Sequence, residues 1–448
     1  MRPIRRTGLI TKSDRRVPVA IVGGGASGTI LAAQLARRSI RSVLIDGSGR
    51  MGRGVAYSTT EGVHLLNVRA EGMSALAHEP DHFAKAFAME GGDRRGFAPR
   101  RFFAAYLGNI LAGAVERGCT ELVEATATTA QREGSGWRLG LSDGSSIGAD
   151  ALVLAVGNQE PEALAAFAGA GSRFIGNPWG ARARSAVAEL AASGEPALLV
   201  GTGLTMVDLV LSLDAAGHSG RILALSRRGL APRGHADFEP AAVGRDELPM
   251  GLRALFRWLR RRSAGVGWRA AVDSLRPYSH SLWQDLDEVE RRRFLRHARP
   301  WWDVHRHRIA PEVAATVERT VSEGRLQIVA GRILAAREGG NGLEVEYRPR
   351  GSDEPRKEQF AYAFNCTGPL HSIARSKDPL LRSLLDRAEV RPDDLGIGLE
   401  VDETNRAGEH LWAMGPLTKG RFWEIIAVPD IREQADQVAE DIKRELGA

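Results

Sequence analysis

Val19-Ala-Ile-Val-Gly23-Gly24-Gly25-Ala26-Ser27-Gly28 is the stretch that decides the fold. An apolar run that ends in spaced glycines and continues into small residues reads as strand, phosphate-cradling turn and helix. Gly23 permits the tight turn, Gly25 lets backbone approach a pyrophosphate, and Gly28 lets the helix pack close to the strand. Ala26 and Ser27 open the helix, whose first N–H groups and positive end face the anion. A second apolar run, Ser42-Val-Leu-Ile-Asp46, ends in a carboxylate 18 residues after Gly28. That is the usual distance for an acid that hydrogen-bonds an adenosine ribose.

The pattern recurs at Ala197-Leu-Leu-Val-Gly201-Thr202-Gly203-Leu204-Thr205-Met206, with Met206 in place of the third glycine. Gly201, Gly203, Leu204 and Thr205 would form this second cradle. The next apolar run, Arg221 to Leu225, continues into Ser226-Arg227-Arg228-Gly229. Here a hydroxyl and two guanidiniums replace the ribose acid. Arginine pairs bidentately with phosphate oxygens, so the substitution favours the 2′-phosphate of NADPH over NADH. Two cradles predict two dinucleotides, a flavin and a nicotinamide, and hence an α/β protein with two Rossmann-like domains. FAD and NAD(P)H are the cofactors expected, and redox chemistry is the leading function.

Composition agrees with a globular enzyme. The 448 residues are 43% hydrophobic and 26% charged, close to globular averages and enough for two or three domains. No run of about 18 apolar residues points to a membrane span. Met1 to Arg16 is basic without an apolar core and reads as a tail rather than a signal peptide. Cys119 and Cys366 are the only cysteines, which gives no disulfide framework, fits a reducing cytoplasm, and disfavours dithiol exchange. The net charge is +6, and the excess concentrates between Gly251 and Arg308, where 14 Arg face 6 acids. Such a stretch reads as a solvated helical surface or an anionic-substrate site sooner than as a nucleic-acid face.

The chain divides into a basic tail (1–16), the first part of the FAD domain (17–170), an NAD(P) domain (171–368) and a C-terminal FAD segment (369–448). A helical Arg/Trp-rich insertion occupies about 245–322 of the NAD(P) domain. Two buried-strand patterns, Ala151 to Val156 before Gly157 and Ala363 to Thr367 before Gly368, would cross between the domains. In open α/β sheets such strand ends face the ligand crevice.

Gly52-Arg-Gly-Val-Ala-Tyr-Ser58, His64-Leu-Leu-Asn67-Val68, Pro99-Arg100, Gly203-Leu-Thr-Met-Val-Asp208, Ser226-Arg-Arg-Gly-Leu230, Trp302-Asp-Val-His-Arg-His-Arg308 and Asn365-Cys-Thr-Gly-Pro369 occur together in this chain. The combination resembles the bacterial FAD/NAD(P)-binding family that includes FAD-dependent urate hydroxylases and aspartate N-hydroxylating enzymes, from about Val17 to Ala435. The resemblance implies a flavin monooxygenase. NAD(P)H would reduce FAD, dioxygen would add at the flavin, and the hydroperoxide would hydroxylate a small anionic or nitrogen-containing substrate. A flavin reductase or dehydrogenase without oxygen insertion, and a non-catalytic flavoprotein, are the competing readings.

Several residues can be assigned roles within that scheme. Gly52-Arg53-Gly54 follows the ribose strand closely enough to pass the cofactor. Asn67 is either a contact to the isoalloxazine edge or a turn asparagine, and either one of Arg100 and Arg101 meets the FAD pyrophosphate or both form a surface pair. Gly415 stands where disulfide-reductase-like proteins place the Gly-Asp that holds ribitol, but Pro416 replaces the acid. Asn67, Glu424 and Arg306 are the candidate catalytic residues. His305-Arg306-His307-Arg308 does not read as a metal site, because its arginines repel a cation and no carboxylate or cysteine set completes it.

Overall fold

The computed structural model describes residues 15–340 and 342–447, so nearly all of the basic tail lies outside the described residues. The first unit opens with β1 (Arg16–Val22), α1 (Ala26–Arg37) and β2 (Ser42–Ile45). Then come α2 (His82–Met89), α3 (Arg100–Glu116), β3 (Thr120–Val123), β4 (Ala127–Glu133), β5 (Gly136–Leu141) and β6 (Ser146–Leu154). The second unit begins with β7 (Phe174–Ile175), α4 (Ala181–Ser193), β8 (Ala197–Val200), α5 (Leu204–Ala215) and β9 (Ile222–Ser226). A helical segment follows: α6 (Leu252–Val266), α7 (Trp268–Asp273), α8 (Ser279–Gln284), α9 (Glu288–Arg293), α10 (Arg299–Arg306) and α11 (Pro311–Ser322). The unit closes with β10 (Leu326–Gly339), β11 (Gly342–Pro349), β12 (Arg356–Phe360) and β13 (Tyr362–Asn365). The chain then returns to the first unit through α12 (Pro379–Asp386), β14 (Arg406–Gly408), β15 (Leu411–Ala413) and α13 (Val428–Leu446).

Two sheets result. The first runs β14-β15-β6-β1-β2-β3, with the β4–β5 hairpin attached to β6. Opposite β1, strand β6 serves two partners along one edge: its early residues pair antiparallel with β5, and Leu152 to Leu154 pair parallel with β15. The second sheet runs β12-β11-β10-β9-β8-β13-β7. The units are built alike at their centres. In each, the strand before the glycine turn lies between the strand that follows its helix and a later crossover strand, all parallel.

The glycine turns show why the sequence repeats. Gly23 and Gly201 have φ of +110° and +115°. A Cβ on Gly23 would lie 2.3 Å from the Ala155 carbonyl oxygen, and one on Gly201 would lie 2.3 Å from that of Cys366. Only glycine meets both demands, the left-handed backbone and the contact with the neighbouring strand. Met206, at the position equivalent to Gly28, is fully buried, so the second helix packs on its strand through a side chain.

Helix α1 is buried from Ser27 to Ala36 because the sheet, α3 and α13 surround it. Its near-uniform apolar character follows from that position. Helix α11 packs on α5 and β10. It is therefore the crossover helix of the second unit, and the added helices lie between Leu252 and Arg306. Among the described residues, no helix is long and apolar enough to cross a membrane.

Candidate functional site

The C-terminal ends of the parallel strands gather the glycines that bear on ligand binding. Helices α1 and α5 start at Gly25 and Gly203, and neither has a side-chain cap. Their first N–H groups are thus left for an anion. Around the first turn, the Asp46 carboxylate accepts from the N–H groups of Gly24 and Ser48, both at 2.7 Å. The Gly52 N–H bonds the Gly24 carbonyl at 2.8 Å, and a Cβ on Gly54 would come within 2.9 Å of the Gly25 Cα. The Gly52-Arg53-Gly54 loop therefore folds back over the turn, with Arg53 exposed. Ala26 and Ser27 lie in the first turn of α1, as expected from the sequence. Gly157 and Gly368, just past β6 and β13, have open space on the side a Cβ would occupy.

Gly415 follows β15 and sits against the start of α1, where its Cβ would lie 2.8 Å from Ser27 Oγ. Its N–H donates to Gln434 Oε1 at 2.7 Å. Gln434 Nε2 donates to Asn405 Oδ1 and Thr418 Oγ1 at 2.7 and 2.9 Å. Helix α13 is thereby pinned to the Gly415 turn, and its N-terminus lies beside the first glycine cradle. The uncapped start of α1 and the glycine-only turn fit a group with phosphate at Gly23 to Gly28.

At the second turn, Thr202 and Ser226 share a 2.8 Å hydrogen bond, and Ser226 Oγ accepts from the Gly229 N–H at 3.0 Å. Arg227 is exposed at the end of β9. Arg228 is turned elsewhere: it donates to the carbonyls of His297 and Arg296 at 2.7 and 3.3 Å, in the π-helical turn between α9 and α10. Of the two guanidiniums expected at a 2′-phosphate, Arg227 is left exposed, and Arg228 fastens the helical segment to the sheet.

Arg100 corrects a second expectation. It does not face the pyrophosphate. Its Nη1 and Nη2 donate to the two carboxylate oxygens of Asp208 at 2.8 and 3.0 Å, and its Nε donates to the Leu65 carbonyl at 3.0 Å. The two side chains are 12% and 7% exposed. This bidentate pair joins α3 to α5 and so clamps one unit to the other. His64 reinforces the joint, with Nδ1 2.7 Å from Thr59 Oγ1 and Nε2 3.1 Å from both the Asp208 carbonyl and Ser212 Oγ. Asn67 is half-buried, and its carbonyl accepts from His235 Nε2 at 3.0 Å. Burial pushes the His235 imidazole down to about 4, against the opposing effect of that carbonyl.

Glu424 and Arg306 do meet. Arg306 Nε donates to Glu424 Oε2 at 3.0 Å, and the side chains are 13% and 5% exposed. Trp302 Nε1 donates to the other oxygen, so both are occupied and Glu424 acts as an anchored anion. It carries a φ of +69°, a strained value for a glutamate. His307 and Asp303 lie next to it; burial lowers the imidazole and raises the carboxyl. His305, by contrast, bonds back to the Trp301 carbonyl of its own helix and packs edge-on against Trp268.

Three perturbed groups that sequence reasoning did not single out follow β13, follow β15 and open α13, and of these Asp430 lies within electrostatic reach of Arg306 and Glu424. Asp430, in the first turn of α13, has a buried Oδ2 without a partner. Burial raises its carboxyl, against Arg276, His280 and Arg306. Lys419 is pushed down to about 8 by burial and by Arg299. His371, past Gly368, is pushed down to about 4 by burial, then by Arg299, Lys419 and Arg227. Their only sequence signal was proximity to Gly368, Gly415 and Glu424. Titratable groups perturbed in this way cluster at functional sites.

Residues 20–159 match a sequence family described as FAD-NAD(P)-binding. No curated protein matches the chain in sequence. Among solved structures, the reduced form of ornithine hydroxylase from Pseudomonas aeruginosa is 16% identical, with a TM-score of 0.65 over 96% of this chain and 99% of that one. L-lysine 6-monooxygenase from Pseudomonas syringae is 17% identical, with a TM-score of 0.65 over 96% and 99%. Thioredoxin reductase from T. acidophilum is 12% identical, with a TM-score of 0.55 over 97% and 100%. Monooxygenases and a disulfide reductase thus share this architecture, which is an FAD- and NAD(P)-binding fold of two dinucleotide units. At such identities the likeness defines the fold and leaves the reaction to the site.

Proposed function

We propose that the protein is an NAD(P)H-dependent flavin monooxygenase that hydroxylates a small anionic or nitrogen-containing substrate. The observation that carries the reading is the pair of uncapped glycine cradles at the starts of α1 and α5, in two units built alike, together with a buried Glu424–Arg306 pair that joins the segment after β15 to α10. FAD would lie along Gly23 to Gly28, past Gly157 and Gly415. NADPH would lie along Gly201 to Thr205, with Arg227 at its 2′-phosphate. When bound, the two cofactors supply electron transfer and oxygen activation.

The chain's own groups have separable tasks. The α1 and α5 N-termini bind phosphate. The positive end of α13 favours negative charge on a reduced flavin. Glu424, fixed by Trp302 and Arg306, holds the charge pattern of the cleft. Asp430, with its unpartnered Oδ2 and raised carboxyl, is suited to hold a proton there and hand it on. Two solved hydroxylases with this architecture bear the names of amino-acid substrates, ornithine and lysine, which supports a small polar or nitrogen-bearing acceptor for oxygen. The absence of a CxxC pair separates the chain from dithiol exchange: Cys366 is buried, with its thiol pushed up by burial, and Cys119 lies far from it in sequence.

The test is oxygen uptake by FAD-loaded protein with NADPH, across urate, aromatic and aliphatic acids, amines and amino acids, with product mass in parallel. A compound that stimulates uptake and gains one oxygen atom establishes the reading. NADPH oxidation to hydrogen peroxide alone, whatever compound is added, supports a reductase instead.

A further inference from the structure

Helix α6 is the least embedded long helix among the described residues. None of its residues from Leu252 to Val266 is buried, although the helix is strongly amphipathic. Arg253, Arg257, Arg260 and Arg261 face solvent. Leu255, Phe256 and Leu259, at helical spacing, roof an apolar cavity floored by Trp283, Trp302 and Trp423. The cavity measures about 60 Å³. An apolar cavity that takes up benzene is roughly 150 Å³, so this half-open space is too small for a long alkyl chain as it stands. Lifting of the roof would enlarge it.

The roof is attached as a movable part would be. Gly251 and Gly267 bound it at φ of +82° and +79°, and a Cβ on Gly267 would touch nothing within 4 Å. Few polar contacts hold it down. Glu290 Oε1 accepts from the Leu252 N–H at 2.9 Å, and Arg262 Nη2 donates to the carbonyls of Ala241 and Ala242 at 2.9 and 2.8 Å. The floor, in contrast, belongs to the site. Trp302 lines the cavity and also donates to Glu424. Trp423 precedes Glu424 directly, and its indole N–H is buried without an acceptor. The Arg299 guanidinium lies 5.7 Å from the Trp423 ring centroid.

We infer that this cavity is the apolar half of the substrate site and that α6 is its lid. The ligand it fits is a carboxylic acid with an alkyl or aryl body. The body lies against the tryptophans, and the carboxylate accepts from the indole N–H of Trp423 beside Arg299. An amino acid with a charged side-chain end, as in ornithine or lysine, would leave an ammonium group desolvated among leucine and tryptophan. The inference rests on the monooxygenase reading for its link to catalysis, but binding can be measured without turnover.

The experiment is calorimetric titration of the FAD-loaded protein with hexanoate, octanoate, decanoate and, separately, ornithine. One-site binding of the fatty acids is expected, tightening about fourfold for each added CH₂, with a negative heat-capacity change and no binding of ornithine. Leu255→Trp, which fills the cavity from an unburied position, should weaken decanoate at least tenfold with flavin content unchanged. Arg261→Trp, on the solvent face of α6, should leave affinity as it is. Decanoate should also slow tryptic cleavage within α6, between Arg253 and Arg262. No saturable decanoate binding, equal affinity in Leu255→Trp, or preferred binding of ornithine would each overturn the assignment. Decanoate binding that behaves as expected without any oxygen uptake leaves the cavity assignment standing and removes the monooxygenase reading.

Discussion

At the level of single residues, Gly25 and Gly28 separate ligand binding from folding within one motif. A Cβ on Gly25 would meet only the Gly54 Cα, at 3.6 Å, whereas one on Gly28 would lie 2.0 Å from the Gly23 carbonyl. Gly25→Val should therefore fold with a normal circular dichroism spectrum but purify without flavin colour. Gly28→Val should lower the melting temperature of the whole protein. A yellow Gly25→Val protein would contradict the placement of the pyrophosphate. The Arg100–Asp208 pair makes a second test. Asp208→Asn leaves a buried guanidinium undercompensated and should cost about 3 kcal/mol of stability in urea unfolding. The double replacement Arg100→Met with Asp208→Leu should cost less than the single one. His235 gives a pH signature. Its folded value of about 4 lies below the unfolded value near 6.5, so between these the unfolded chain binds more protons. Stability should therefore fall as pH drops from 6.5 toward 4, with this group contributing at most about 1.4 kcal/mol per pH unit. His235→Gln, measured by urea unfolding at pH 6.5 and 5, should reduce the slope; an unchanged slope would remove His235 as its source. These residues also mark where sequence reading stops. Glycines announce themselves because few other residues meet their geometry. Arg100 and Asp208 pair across 108 positions, and no local spacing encodes that contact.

At the level of elements, the strands and cradles were legible because buried parallel strands are apolar runs and the turns need glycine. The helical segment was legible as helical, but its function in the sheet was not. Helix α11 was read as part of the insertion, and only its packing on α5 and β10 identifies it as the crossover helix. Periodicity reports which face of a helix is apolar, not which partner covers it. The same limit applies to Arg228, whose place beside Ser226 suggested a phosphate contact although it binds the turn ahead of α10. Arg227→Ala should raise the KM for NADPH at least tenfold and that for NADH little. Arg228→Ala should instead loosen the added helices and speed their proteolysis. Equal effects of Arg227→Ala on both nucleotides would remove it from the 2′-phosphate site.

At the level of the whole molecule, the return of the chain through β15 and α13 matters most. It brings the Gly415 turn and α13 against α1, while α10 brings Arg306 from the second unit to Glu424. Glu424 was legible as a candidate from its neighbourhood in sequence. Asp430, Lys419 and His371 were not, since their perturbation comes from burial created by distant segments. The Arg100–Asp208 clamp and His64 then hold the two cradles in fixed relation, as electron transfer between two bound dinucleotides requires. The most direct test is anaerobic rapid mixing of the FAD-loaded protein with NADPH, followed in the oxidised-flavin absorbance band. The account predicts full bleaching in a single enzyme-bound step, at lower nucleotide concentration for NADPH than for NADH. Retention of the oxidised spectrum with either nucleotide would contradict it.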